Sequence, residues 1–148
     1  MIKLPATGRA GAGQICYTGY KGRDLPMKKI GFITTNKVLA QSLADTIKNH
    51  PDWGFEPFLL LNPRQAALDA EVLKIDTAVV DAADSNETKR VCETLRQAVP
   101  GCRLLLLVPQ DGKTGRKMAI QSIRSKAADD FVFYDASLDY LFAKLAAI

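Results

Sequence analysis

The sequence predicts a three-layer α/β domain with a five-stranded parallel sheet, doubly wound, in the order 2-1-3-4-5. Short apolar runs alternate with amphipathic helical segments from Met27 to Ile148. Several runs are apolar throughout, which is typical of parallel strands buried on both faces. Asparagine, serine or aspartate stands where most of the helices should begin, and such residues commonly cap helices.

The strands are predicted, in order, at 30–34, 55–61, 76–81, 104–108 and 131–134. Asn36 or Thr35, Asn62, Asp84 or Ser85, and Ser137 are the candidate helix caps. The inward faces of the helices are predicted to include Val38, Leu39, Leu43 and Ile47; Ala66, Ala67, Ala70 and Leu73; Val91, Leu95 and Ala98; Met118, Ala119, Ile120 and Ile123; and Leu138, Leu141, Phe142, Leu145 and Ile148.

One proline helps to define the strand order. Pro57 lies inside the second predicted strand, and a proline cannot donate a hydrogen bond to a neighbouring strand. The second strand therefore belongs at an edge, as it does in the order 2-1-3-4-5. In this order the carboxyl ends of strands one and three are adjacent, and ligands and chemistry gather there.

Composition narrows the range of functions. The 148 residues carry a net charge of +4, but most of that excess lies in residues 1–26, which have four basic side chains and one acidic. The nearly neutral remainder predicts no nucleic-acid partner. An odd count of three cysteines without metal-binding spacing favours a reducing cytoplasm, and no apolar run is long enough for a membrane span.

Residues 1–26 are rich in glycine and poor in large apolar residues, so they are not expected to form a packed element. Met27-Lys28-Lys29-Ile30 is typical of a protein start that leads into a first strand. We therefore interpret 1–26 as a disordered leader or as sequence upstream of the native start. Residues 27–148 are interpreted as the folded domain.

Two segments resemble a known family. Thr77-Ala78-Val79-Val80-Asp81 is similar to the strand that ends in the phosphorylated aspartate of response-regulator receiver domains. Ala127-Ala128-Asp129-Asp130-Phe131-Val132 is similar to their turn into the fifth strand. Together with the layout from Met27 to Ile148, they resemble the CheY-like receiver family. The resemblance implies that Asp81 is the candidate phosphoacceptor and Phe131 the aromatic residue that switches rotamer.

The sequence departs from that family where phosphoryl chemistry needs support. Receivers place two carboxylates after strand one to hold Mg²⁺, but Thr34-Thr35-Asn36 stands there. They place a hydroxyl after strand four and a lysine after strand five, where this chain has Val108-Pro109 and Tyr134-Asp135. An atypical receiver, or pseudo-receiver, is therefore predicted, with no cofactor and at most weak Mg²⁺ binding. Thr34, Thr35, Asn36 and Asp84 are the candidate metal or anion neighbours.

The predicted function is regulatory and non-enzymatic, acting by protein–protein contact. Lys113, Lys117 and Arg124 fall on one basic face of the fourth helix and, with Tyr134, form the candidate partner surface. The expected partner is another signalling protein or an output domain, with a homodimer left open. Two alternatives remain: a working Asp81-phosphorylated receiver of a two-component system, and a flavodoxin-like domain that binds a small molecule or nucleotide.

Overall fold

The structure is a computed structural model that describes residues 27–109 and 113–148. Within them the strands are β1 (Lys28–Ile33), β2 (Phe55–Leu60), β3 (Thr77–Asp81), β4 (Arg103–Val108) and β5 (Asp130–Phe133). The helices are α1 (Lys37–Lys48), α2 (Ala66–Leu73), α3 (Ser85–Ala98), α4 (Lys113–Arg124) and α5 (Leu138–Ala147). The leader assigned to residues 1–26 and the side chain of Lys113 lie outside the described residues.

The five strands form one parallel sheet in the order β2-β1-β3-β4-β5. This confirms the predicted fold class and the 2-1-3-4-5 order. Pro57 lies in the edge strand β2, opposite Ile30 of β1. Its missing amide hydrogen is tolerated there because β2 has only one neighbouring strand.

Helices cover both faces of the sheet. On one face α2, α3 and α4 pack against the sheet through small and branched side chains: Ala66, Ala70, Val91, Cys92, Leu95 and Ala119. On the other face α1 and α5 pack through larger residues: Leu43, Ile47, Leu141, Phe142 and Leu145. The central strands β1, β3 and β4 are therefore buried from both sides.

The starts of α1, α3 and α5 use predicted capping residues, whereas Asn62 caps the short 3-10 turn Pro63–Gln65 that precedes α2. Asn36 accepts from the Leu39 amide and Ser137 from the Tyr140 amide. At α3 the acceptor is Asp84, whose Oδ1 receives the Asn86 and Glu87 amides at 3.0 and 3.1 Å. These side chains satisfy amides that would otherwise lack a partner in the first turn.

Three residues expected to face inward are exposed instead: Val38, Ile120 and Leu138. At about 100° per residue, Val38 lies opposite the buried stripe that runs from Ala40 to Ile47 on α1, and Ile120 is turned by one step from the buried Ala119. Leu138 shares the angle of the buried α5 stripe, but it is the first residue of the helix and lies beyond the part that is covered.

Among the described helices, none is both long and apolar enough to cross a membrane.

Candidate functional site

The candidate site lies where β1 and β3 end side by side. Ile33 of β1 is paired with Val80 of β3, so the next residue of each strand, Thr34 and Asp81, are neighbours at the carboxyl edge of the sheet. The sheet register alone therefore brings together two residues that are far apart in the sequence. Asp81 is partly buried, while Thr34 is only 4% exposed.

Thr34 binds Asp81 directly. Its Oγ1 donates to Asp81 Oδ2 at 2.6 Å and accepts the Asn36 amide at 3.0 Å. A hydroxyl group can donate one hydrogen bond while it accepts others, so both roles are compatible. A short hydrogen bond to a carboxylate is stronger than one between neutral groups, and it fixes the Asp81 side chain against β1.

Tyr134 supplies a second hydroxyl. It follows β5, its amide donates to the Val108 carbonyl at 2.9 Å, and its hydroxyl donates to Asp81 Oδ1. The same Oδ1 also accepts the Ala83 amide at 3.2 Å. Tyr134 therefore reaches over the end of β4, and each oxygen of Asp81 has at least one donor. We call this arrangement of Thr34, Tyr134 and the Ala83 amide around Asp81 the hydroxyl cap.

The other predicted neighbours have structural roles. Thr35 is exposed, and Asn36 Oδ1 accepts the Leu39 amide at 3.1 Å as the cap of α1. Asp84 Oδ1 accepts two amides of α3, and the Asp84 carbonyl accepts the Thr88 hydroxyl at 2.6 Å. Of the four candidate metal or anion neighbours, the structure shows Thr34 in hydrogen-bond contact with the Asp81 side chain.

A small cavity of about 80 Å³ borders this site, with Thr34, Asp81 and Asp84 in its lining. One water takes about 30 Å³ in the liquid, and sites for drug-sized ligands measure roughly 300–1,000 Å³. The cavity therefore has room for a few waters or a small ion. The cavity is too small for a nucleotide or a flavin. It therefore gives no support to the alternative that a flavodoxin-like domain binds such a molecule here.

Solved structures resemble this chain throughout the described part, although the sequence matches no family model and no curated protein. A response regulator from Thermotoga maritima matches with a TM-score of 0.68 and 19% identity, over 82% of this chain and 96% of its own. A two-component response regulator from Clostridium difficile gives 0.68 and 20%, over 82% and 94%. A structure described as an adenylate cyclase from Rhodopirellula baltica gives 0.69 and 15%, over 82% and 86%.

The chain has the CheY-like receiver fold. At sequence identities of 15–20%, the similarity shows the fold alone. The chemistry of the site must be derived from the side chains of this chain.

The described residues do not fit the Mg²⁺ site that the receiver fold implies. Mg²⁺ prefers carboxylate oxygens and water, yet the positions after β1 are Thr34, Thr35 and Asn36. Asp81 is occupied by the hydroxyl cap, and one Asp84 oxygen is committed to α3. Within the described ranges, no three histidine, cysteine or acidic side chains cluster closely enough to hold a metal ion.

The remaining predicted residues lie on β5 and α4. Phe131 is half-buried and packs edge-on against Phe133, with ring centroids 5.4 Å apart. Lys117 and Arg124 are exposed on α4. The rotamer switch of Phe131 and the partner surface stay predictions.

The contact between Tyr134 and Asp81 is not among the features that the sequence predicts. The sequence places Tyr134 on the candidate partner surface, which stays a prediction, and the structure adds that the hydroxyl of this exposed side chain donates to Asp81. The sequence does hold a clue to this contact, because Tyr134 stands directly after β5, in the position where receivers place a lysine.

Proposed function

We propose that this chain is a regulatory module with the receiver fold that acts by protein–protein contact, without phosphorylation of Asp81. The hydroxyl cap is the observation that carries the proposal. Phosphoryl transfer to a carboxylate needs a free oxygen, a metal ion and a cation that together neutralise the developing charge. Here Thr34 and Tyr134 supply neutral hydroxyl groups in the places where the receiver family has a metal-binding carboxylate and a lysine.

The partner proposed for such a module is another signalling protein or an output domain. Lys117 and Arg124 of α4, together with Lys113 and Tyr134, remain the proposed contact surface. A cytoplasmic location fits the unpaired, buried Cys92 and Cys102. We propose no catalytic role for Asp81, because the hydroxyl cap binds both of its carboxylate oxygens.

The test is to offer the full chain beryllofluoride or acetyl phosphate together with Mg²⁺. We expect no change in amide NMR signals around Asp81 with beryllofluoride and no added phosphoryl mass with acetyl phosphate. Asp81→Asn is the control, and it should change little in the structure and keep any partner contact.

The competing function is an Asp81-phosphorylated receiver, which the position of Asp81 at the end of β3 supports. A stable adduct at roughly millimolar Mg²⁺ that disappears in Asp81→Asn would establish that function and refute our proposal.

A further inference from the structure

A broad open groove of about 660 Å³ separates α3 from α4. Its lining includes Met118 and the half-buried Ala127, with asparagine, glutamine and serine side chains around them. Charged residues along it are Lys89, Glu93, Arg96, Lys117 and Lys126. We call this the α3–α4 groove. It lies on the same face of the sheet as α2.

The charge of the groove is mostly uncompensated. Arg96 is held by Asp129 at 3.1 Å and by the Cys102 carbonyl at 3.1 Å. In contrast, Lys89, Lys117 and Lys126 are exposed, and no carboxylate of the described residues lies within ion-pair distance of them. Glu93 is the single acidic residue in the lining. The groove therefore presents a positive rim over an apolar floor.

Helix α2 has the opposite properties. Its small residues Ala66 and Ala70 face the core, while Leu68 and Val72 are 57% and 70% exposed. This reverses the usual arrangement, in which the large apolar residues of a helix are buried. With 100° per residue, Asp69 and Glu71 fall on either side of the exposed Leu68–Val72 pair. The outer face of α2 is thus an apolar stripe between two carboxylates.

We infer that the α3–α4 groove binds α2 of a second copy of this chain. Leu68 and Val72 would cover Met118, and Asp69 and Glu71 would meet the lysines of the rim. Both surfaces lie on one face of the sheet, so the same contact can form twice about a two-fold axis. This inference goes beyond the proposed function and does not depend on the state of Asp81.

The lining argues against other occupants. Single-stranded nucleic acids bind through stacked aromatic residues, and the lining has none. The rim lysines are spread over α3, α4 and the turn after α4, and the acidic Glu93 lies between them. They therefore do not converge on one point, as the cations of an anion-binding site would. An acidic helix of another protein would fit the same rim, and the experiment separates it from a second copy.

The test measures the mass of the full chain by sedimentation equilibrium and uses reversed charges. Lys89→Glu with Lys117→Glu makes the rim acidic, and Asp69→Lys with Glu71→Lys makes α2 basic. We expect each double variant to self-associate at least about tenfold more weakly than the wild type. An equimolar mixture of the two variants should form a heterodimer, because both contacts then again join opposite charges.

Lys37→Glu with Lys48→Glu is the matched control, since it makes the same charge change on α1 across the sheet. Leu68→Gln with Val72→Gln should also weaken association, which covers the case in which reversed charges unfold α2. A wild-type chain that stays monomeric at about 1 mM would overturn the inference. So would a dimer that the reversed charges leave unchanged, a mixture that fails to associate, or a control that weakens it equally.

Discussion

Asp81 shows how single residues define this site. Its two oxygens receive the Thr34 and Tyr134 hydroxyls and the Ala83 amide. A partly buried carboxylate with this many donors is well compensated without a metal or a lysine. The hydroxyl cap thus has a structural value that is separate from signalling and can be measured by itself.

Replacing Thr34 by valine removes the buried hydroxyl and keeps the shape of the side chain. We expect the free energy of unfolding to fall by about 2 kcal/mol, because Asp81 Oδ2 and the Asn36 amide both lose their partner. Urea unfolding measures the change. Thr35→Val is the control at the exposed neighbouring position and should stay within about 0.5 kcal/mol of the wild type. Equal losses in the two variants would contradict the role given to Thr34.

The two core cysteines are a second residue-scale feature. Burial raises the pKa of Cys92 from 9.0 to about 11, and that of Cys102 likewise to about 11. The guanidinium of Arg96 opposes the shift at both thiols without cancelling it. Because the thiolate is the reactive form, both residues should be poor nucleophiles near neutral pH.

In a Cys16→Ser background, we expect Cys92 and Cys102 to react with a disulfide reagent at pH 8 at least about a hundredfold more slowly than an exposed thiol. The rate should rise with pH up to about pH 11, since the pKa of each thiol is raised. Ser42→Cys, on the exposed side of α1, supplies the reference thiol. Rapid reaction of either core cysteine in the native protein would refute this expectation.

At the scale of elements, two lysines of β1 bind the C-terminal ends of two helices, one on each face of the sheet. Lys28 Nζ donates to the Leu145 and Ile148 carbonyls at 2.8 Å each, at the end of α5. Lys29 Nζ donates to the Leu73 carbonyl at 3.1 Å, at the end of α2. A cation at a helix C-terminus satisfies carbonyls that lack intrahelical partners and opposes the negative end of the helix dipole.

Lys28→Met should remove this connection while keeping the aliphatic stem. Burial lowers the pKa of Lys28, so losing the charge recovers part of the desolvation energy. The net loss of stability should therefore be modest, about 1 kcal/mol, with faster amide exchange in the last turn of α5. Lys37→Met, at the exposed start of α1, should be neutral. If Lys28→Met leaves α5 exchange unchanged, the lysine does not hold that helix.

At the scale of the whole molecule, the part of the chain that the structure describes has a core on each face of the sheet. Each face of the sheet has its own cluster of buried side chains, and both clusters are drawn from the five strands and five helices. Folding stability comes mainly from apolar surface removed from water, and residues 1–26 contain few large apolar residues. The leader remains a proposal from composition.

A chain that starts at Met27 should therefore melt within about 3 °C of the full chain in a calorimeter. A larger drop would show that the leader packs on the domain. Mass spectrometry of the protein from its native source addresses the start itself, because a peptide from residues 1–20 would exclude translation from Met27.

Local sequence determined most of the fold. Each strand is a short apolar run, and the helix starts carry residues that cap locally, as Asn36 and Ser137 do. Pro57 restricted β2 to an edge because a missing amide hydrogen is a property of one residue. Such features depend on neighbours within a few positions, and for this reason they could be predicted from the sequence alone.

Tertiary structure decided what meets at the site and which apolar residues remain outside. Tyr134 and Asp81 are 53 positions apart, and their contact depends on the register of three strands and on what stands at the end of β4. Leu68 and Val72 are as apolar as core residues, but α2 turns its alanines to the sheet. The apolar or polar chemistry of a side chain sets its preference for burial. Only the packing of distant elements decides which apolar side chains are covered.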